Sequence, residues 1–164
     1  MYKKLFLLSA LSLLTMACDK PRHADIPLPQ VLTRDASGYY CLMTVLNHKG
    51  PKGQIILDDK ADALWFTSVR DTIAFTLSPE EPKNIAAIYV NDMAAADWNN
   101  PGENNWIDAR KAWYVIGSER QGGMGAPEAV PFSSEVQARD FVQKYGGRVV
   151  DFTSIPRDYI QGPS

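Results

Sequence analysis

The sequence predicts an α+β protein made of two similar small ββαβ lobes that form one compact unit. Three observations carry that prediction. Trp65-Phe66-Thr67-Ser68 and Pro131-Phe132-Ser133-Ser134 stand 66 residues apart, and Phe75 and Phe141 keep the same offset. Each half reads strand, turn, strand or extended arm, helix, strand. Between the halves, residues 94–104 carry Pro101-Gly102 and read as a linker. An old duplication of one unit explains the offset; the alternative is two unrelated halves that share capping chemistry.

The first lobe spans residues 38–93. Tyr39 to Leu46 is rich in aromatic and β-branched residues and predicts a strand or extended segment. Asn47 to Gly53 is a turn, and Gln54 to Asp58 predicts a second strand. Asp58-Asp59-Lys60 turns the chain toward Ala63-Leu64-Trp65-Phe66. Ser68, with Asp71 three residues on, is a helix start of the capping-box kind. Pro79 and Pro82 end that helix, and Ile85 to Val90 predicts an apolar strand.

The second lobe spans residues 105–164. Ala112 to Gly117 predicts a strand and Gln121-Gly122-Gly123-Met124-Gly125 a glycine-rich turn. Ala129 to Phe132 leads to Ser134, again in the capping place. Ala138, Phe141 and Val142 mark the buried side of the helix, Gly146-Gly147 ends it, and Val149 to Phe152 predicts the last strand.

Ahead of the lobes stand two segments of another kind. Residues 1–17 have a charged start, Lys3-Lys4, then an apolar stretch from Leu5 to Leu14, the pattern of a secretion signal too short to span a bilayer. Ala17-Cys18 resembles a bacterial lipoprotein processing site, which makes Cys18 the expected lipid attachment. Residues 18–37, with Pro21, Pro27 and Pro29, read as lipidated cysteine and tether. Asp19 resembles the signal that keeps a lipoprotein in the inner membrane, so the expected place is the periplasmic side of that membrane, with the outer membrane as the alternative.

Without residues 1–17 the chain holds 15 basic and 19 acidic residues, and no basic stripe. That balance excludes a protein that tracks nucleic-acid phosphates. Once Cys18 carries lipid, Cys41 is the one thiol left, in Cys41-Leu42-Met43. Exported domains seldom keep an odd cysteine without a use. Thiolate and thioether are soft donors, and soft donors select Cu(I).

Three methionines follow Cys18: Met43, Met93 and Met124. Met124 is flanked by glycines, so it has room to reach a metal and release it; core filling is the alternative for each. Met93 directly follows a strand and suits packing, and His48 is either a third ligand or a solvated turn residue. One thiol and two distant histidines do not make a structural zinc site or a blue-copper site. Cys41 with His48 is a thin candidate for a nucleophile pair, because their spacing implies no hydrogen bond.

Tyr40-Cys41-Leu42-Met43, Gly50-Pro51-Lys52-Gly53-Gln54-Ile55, Trp65 to Asp71, Ile88 to Met93, Trp106 to Arg110 and Gly122-Gly123-Met124-Gly125, together with the lipoprotein start, closely resemble the NosL family of copper-binding accessory lipoproteins for nitrous-oxide reductase. The resemblance covers the whole mature domain. It implies two ββαβ lobes, Cu(I) held by Cys41 and Met43 with Met124 as third ligand, and no catalytic turnover. It further implies delivery of copper to an ABC-type membrane maturation complex and, directly or indirectly, to apo nitrous-oxide reductase. The residues alone leave two rivals: a thiol-dependent redox or organometal-cleaving enzyme using Cys41, and a general periplasmic copper-tolerance protein.

Overall fold

The computed structural model describes residues 26–162. The signal segment, the lipid-attachment residue Cys18 and residues 19–25 lie outside them. β1 (Gly53–Leu57) is the centre of the first unit and is buried along its whole length. A run such as Ile55-Ile56-Leu57 needs cover on both faces, and it has it. β1 pairs antiparallel with β2 (Leu64–Phe66) on one side and β3 (Ile85–Asn91) on the other. Between β2 and β3 runs α1 (Val69–Leu77), whose Val69, Thr72, Ile73 and Phe75 are buried. Ser68 accepts from the Asp71 N–H at 3.0 Å, the cap that the sequence predicts. α1 comes so close to β1 at Gly53 that a Cβ there would lie 2.1 Å from Thr72 Oγ1.

β4 (Trp106–Asp108) then adds to β3, giving sheet order β2-β1-β3-β4. The second unit repeats the first: β5 (Trp113–Ile116) is central between β6 (Val130–Phe132) and β7 (Arg148–Asp151), with α2 (Glu135–Tyr145) between the latter two. The shared offset is visible in the elements, since β2 ends at Phe66 and β6 at Phe132. Pro131 lacks an N–H, which an edge strand tolerates, and its carbonyl accepts from Met93 N at 2.9 Å. Gly146, at φ 70°, ends α2 in the left-handed region that favours glycine. The chain closes with a 3-10 turn at Phe152–Ser154 and α3 (Arg157–Gln161), which lies on α1.

One core joins the two units. Ile55, Phe66, Val69 and Ile88 of the first cluster with Tyr114, Ile116, Val150 and Ile160 of the second. A second cluster packs Met93 and Trp98 against Val130, Phe132 and Ala138.

Five expectations need correction. Tyr39–Leu46 is not a strand: it makes isolated bridges and a 3-10 turn at Val45–Asn47. The first strand of the first unit is β1, so its second strand is the Trp65 arm. β4, expected with residues 105–164, belongs to the first sheet. The tether does not run through residue 37, because residues 26–37 lie on the fold: Leu32 and Ala36 are buried beside Val45. Buried Gln54 fastens them, accepting from Gln30 N at 2.8 Å and donating to Gln30 O at 2.9 Å. Ser134 stands at the start of α2, but its side chain makes no capping bond. Among the described residues no helix is long and apolar enough to cross a membrane.

Candidate metal site at the N-terminal end of the first helix

Residues 38–44 form a tight loop instead of a strand. Ser37 bridges Thr44, Gly38 N donates to Met43 O at 2.9 Å, and Leu42 N donates to Gly38 O at 2.8 Å. Leu42 turns the loop at φ 57°, a left-handed conformation that costs a leucine energy and marks a position worth a functional reading. Its side chain is 80% exposed, so burial does not offset that cost.

The loop is held on the first unit by its tyrosines. Tyr39 N donates to Trp65 O at 2.7 Å, and the Tyr39 ring stands edge-on to Phe75 with centroids 5.3 Å apart. The hydroxyls of Tyr39 and Tyr40 donate to the two oxygens of Glu81, at 2.9 and 3.0 Å. That shared carboxylate raises the Tyr39 hydroxyl above its ordinary pKa; Tyr40 is raised first by burial and then by Glu81.

Cys41 is half-buried, and its Sγ lies 3.8 Å from Thr67 Oγ1, a long sulfur contact. Thr67 directly precedes the cap of α1. Met43, two residues further along the loop, is 41% exposed.

Met124 reaches the same helix end from the other unit. The β5–β6 connection, residues 117–129, is longer than its counterpart at 58–63 in the first unit. The extra length holds the glycine-rich loop, closed by a Gln121–Pro127 bridge and by Gly122 N donating to Ala126 O at 2.9 Å. Met124 is 49% exposed and lines a cavity of about 190 Å³ with Ser68, Arg70, Asp71 and Glu128. Cys41 and Met124 therefore both stand on the segment 67–71, one at Thr67 and the other across a cavity from Ser68. The glycines permit the approach: a Cβ on Gly123 would lie 2.6 Å from His48 Cβ. His48 is thus a neighbour of the Met124 loop. Met93 is not: it is 7% exposed in the second core cluster.

The site has an interior that sequence reasoning missed. Glu128 is fully buried; its Oε1 accepts from Arg70 N and Ala129 N, each at 2.9 Å, and its Oε2 has no partner among the described residues. Burial pushes its pKa up to about 8 against the pull of those N–H donors. Lys52, also buried, donates to His48 O at 2.6 Å and Gly50 O at 2.9 Å, and burial brings it down to about 8 while the Glu128 charge opposes. Neither residue carries a local sequence signal; an acid after proline and a lysine between proline and glycine read as loop surface.

Among the described residues no three His, Cys, Asp or Glu side chains gather as a metal cluster. Thiolate and thioether are the donor types that Cys41, Met43 and Met124 could offer a metal.

The chain is similar to known proteins over most of its length. The profile of the NosL family matches residues 29–160. The copper-binding lipoprotein NosL of Achromobacter cycloclastes is 48% identical over 152 residues, which is 92% of this chain and 79% of that protein. The copper-binding lipoprotein NosL of Stutzerimonas stutzeri is 34% identical over 145 residues, 88% of this chain and 75% of that protein. The crystal structure of the copper chaperone NosL from Shewanella denitrificans superposes with a TM-score of 0.74 at 32% identity, covering 79% of this chain and 96% of that one. The solution structure of apo-NosL from Achromobacter cycloclastes gives a TM-score of 0.52 at 50% identity, over 68% and 90% of the two chains. The chain belongs to the NosL family.

Proposed function

We propose that the protein is a lipid-anchored Cu(I) carrier on the periplasmic side of a membrane, held there by Cys18, that delivers copper for assembly of the copper centres of nitrous-oxide reductase. Its partners would be an ABC-type membrane maturation complex and, through it or directly, the apo reductase. One observation carries the reading. Cys41, the lone described thiol, is two residues from Met43 and contacts Thr67 just before the helix end whose cavity Met124 lines, and the two methionines are 41% and 49% exposed. A methionine kept for packing is buried, as Met93 is, so two exposed thioethers on loops that meet the same helix end as the thiol argue for soft-metal binding. Relatives named as a copper-binding lipoprotein and a copper chaperone support the same reading.

An open site suits transfer. Two or three soft ligands hold Cu(I) while leaving a side from which a partner's own donors attack the metal. A thiol enzyme needs a base beside its nucleophile, whereas the side-chain polar partner of Cys41 is the hydroxyl of Thr67.

The test is an anaerobic competition for Cu(I) between the protein and a chromogenic chelator, run beside Cys41→Ser. Wild type should withdraw copper from the chelator and the variant should not. Equal behaviour of the two would remove Cys41 from the site and return the thiol-enzyme reading to first place.

A further inference from the structure

Glu128 is an unfavourable residue for its position. An acid with no exposed surface, no cationic partner within ion-pair distance among the described residues and one oxygen unbonded is costly to keep in a core. Its position shows what it connects. Oε1 accepts from Arg70 N in the first turn of α1 and from Ala129 N at the end of the glycine-rich connection. One oxygen thus ties the helix end that meets Cys41 to the strand that follows Met124. Oε2 lies directly behind the Met124 loop, where a Cβ added to Gly122 would be 2.5 Å from it. The same carboxylate lines the cavity that Met124 overhangs.

We propose that Glu128 is a positioning residue for the copper site: it seats the Met124 loop on the N-terminal end of α1 and so sets the approach of the Met124 thioether to a metal held at Cys41. The inference rests on the copper reading above and deepens it. In this role Glu128 acts through the Met124 loop and not as a ligand, holding together loops supplied by two different units. Loss of such an outer support costs about tenfold to a hundredfold in metal affinity. Gly122 belongs to the device, because only a residue without Cβ lets the loop settle onto the carboxylate.

The experiment is a set of Cu(I) competition titrations on the full chain in detergent, with the metal alone as probe. The variants are Cys41→Ser, Met124→Leu, Glu128→Leu, Glu128→Gln and the pair Glu128→Leu/Met124→Leu. Glu128→Leu should weaken binding about tenfold to a hundredfold, and Met124→Leu added to it should bring no further loss. Glu128→Gln, which keeps an acceptor for both N–H groups, should restore near wild-type affinity. X-ray absorption at the copper edge should count one sulfur fewer in Glu128→Leu than in wild type. A merely structural glutamate would lower the melting temperature and leave the coupling to Met124 and the sulfur count unmoved, and that outcome overturns the proposal. Full additivity, or a Met124→Leu variant with wild-type affinity, also overturns it while leaving Cys41 as the copper thiol. Wild-type affinity in Cys41→Ser overturns the copper reading itself. Should Glu128→Leu not fold, Gly122→Ala decides the matter: it must reproduce the Met124→Leu loss, and an unchanged affinity refutes the device.

Discussion

Cys41 Sγ and Thr67 Oγ1 lie 3.8 Å apart, which sets the thiol one residue before the serine that caps α1. The contact joins a strained loop to a rigid one. The loop turns through Leu42 at φ 57°, while Thr67 is 1% exposed and fixed between β2 and α1. The proposed carrier role calls for a thiol of this kind, held on one side by Thr67 and only half-buried.

Met43 tests whether the loop serves copper or the fold. Being 41% exposed, Met43→Leu should change unfolding free energy by no more than about 0.5 kcal/mol. It should nonetheless weaken Cu(I) in the chelator competition, since leucine offers no sulfur. Denaturant unfolding and Cu(I) titration of the same sample check this. Unchanged copper affinity with lost stability would make Met43 a packing residue.

Gly53 fixes the distance between α1 and β1. Gly53→Ala places a Cβ 2.1 Å from Thr72 Oγ1 and 2.8 Å from its Cγ2, both in the core. Overpacking of this kind costs about 1–3 kcal/mol. Adding Thr72→Ala, which removes the clashing atoms, should recover part of that loss in urea unfolding. A double variant as unstable as the sum of the singles would show that backbone strain, not the Thr72 contact, makes the glycine necessary.

The architecture of two similar lobes was readable in the sequence because it rests on local chemistry: apolar runs, serine at helix starts, prolines and glycines at helix ends. What failed was whatever tertiary context decides. Tyr39–Leu46 has strand composition, yet the tyrosines are engaged by Phe66, Phe75 and Glu81, and Leu42 turns the chain two residues after Tyr40. β4 is three residues long and gives too little periodicity to see; its pairing with β3 is a property of the sheet edge. Residues 26–37 look like tether because they carry prolines, and their binding shows only in tertiary contacts, in buried Gln54 across the fold and in Leu32 and Ala36 packed beside Val45. The site divides the same way. Cys41, Met43 and Met124 are candidates by residue type and rarity, whereas Glu128 and Lys52 stand out only by their burial.

Those two buried groups set a pH profile for stability. Glu128 has its folded pKa raised from 4.5 to about 8, so the folded state binds the extra proton between those values. Stability is then full below about pH 4.5 and falls as pH rises toward 8. Lys52 is lowered from 10.5 to about 8, so the unfolded state binds the extra proton above 8 and stability recovers from there toward 10.5. The two contributions together put a minimum near pH 8. Melting temperatures across pH 5–10 should show it, and Glu128→Gln should flatten the acid-side slope. A slope that survives in Glu128→Gln would have to come from other groups.

Ser68 and Ser134 occupy equivalent places 66 residues apart, yet the two serines do different work. Ser68 caps α1 through Asp71 N at 3.0 Å and also, through its carbonyl, accepts from Thr72 Oγ1 at 2.8 Å. Ser134 makes no side-chain bond at the start of α2. The start of α1 is where Cys41 contacts Thr67 and Glu128 holds Arg70 N, so an unsatisfied N–H there would loosen Thr67 and Arg70 together; α2 faces the second core cluster and has no such duty. Ser68→Ala should therefore cost about 1 kcal/mol, and the matching Ser134→Ala less than about 0.5 kcal/mol. Urea unfolding of the two variants measures both. Hydrogen exchange would localise the effect, with faster exchange at Arg70 and Asp71 in Ser68→Ala and none of that change at Val136 and Gln137 in Ser134→Ala. Equal costs at both serines would mean that the second helix uses a cap after all, and that the asymmetry between the units does not extend to their helix ends.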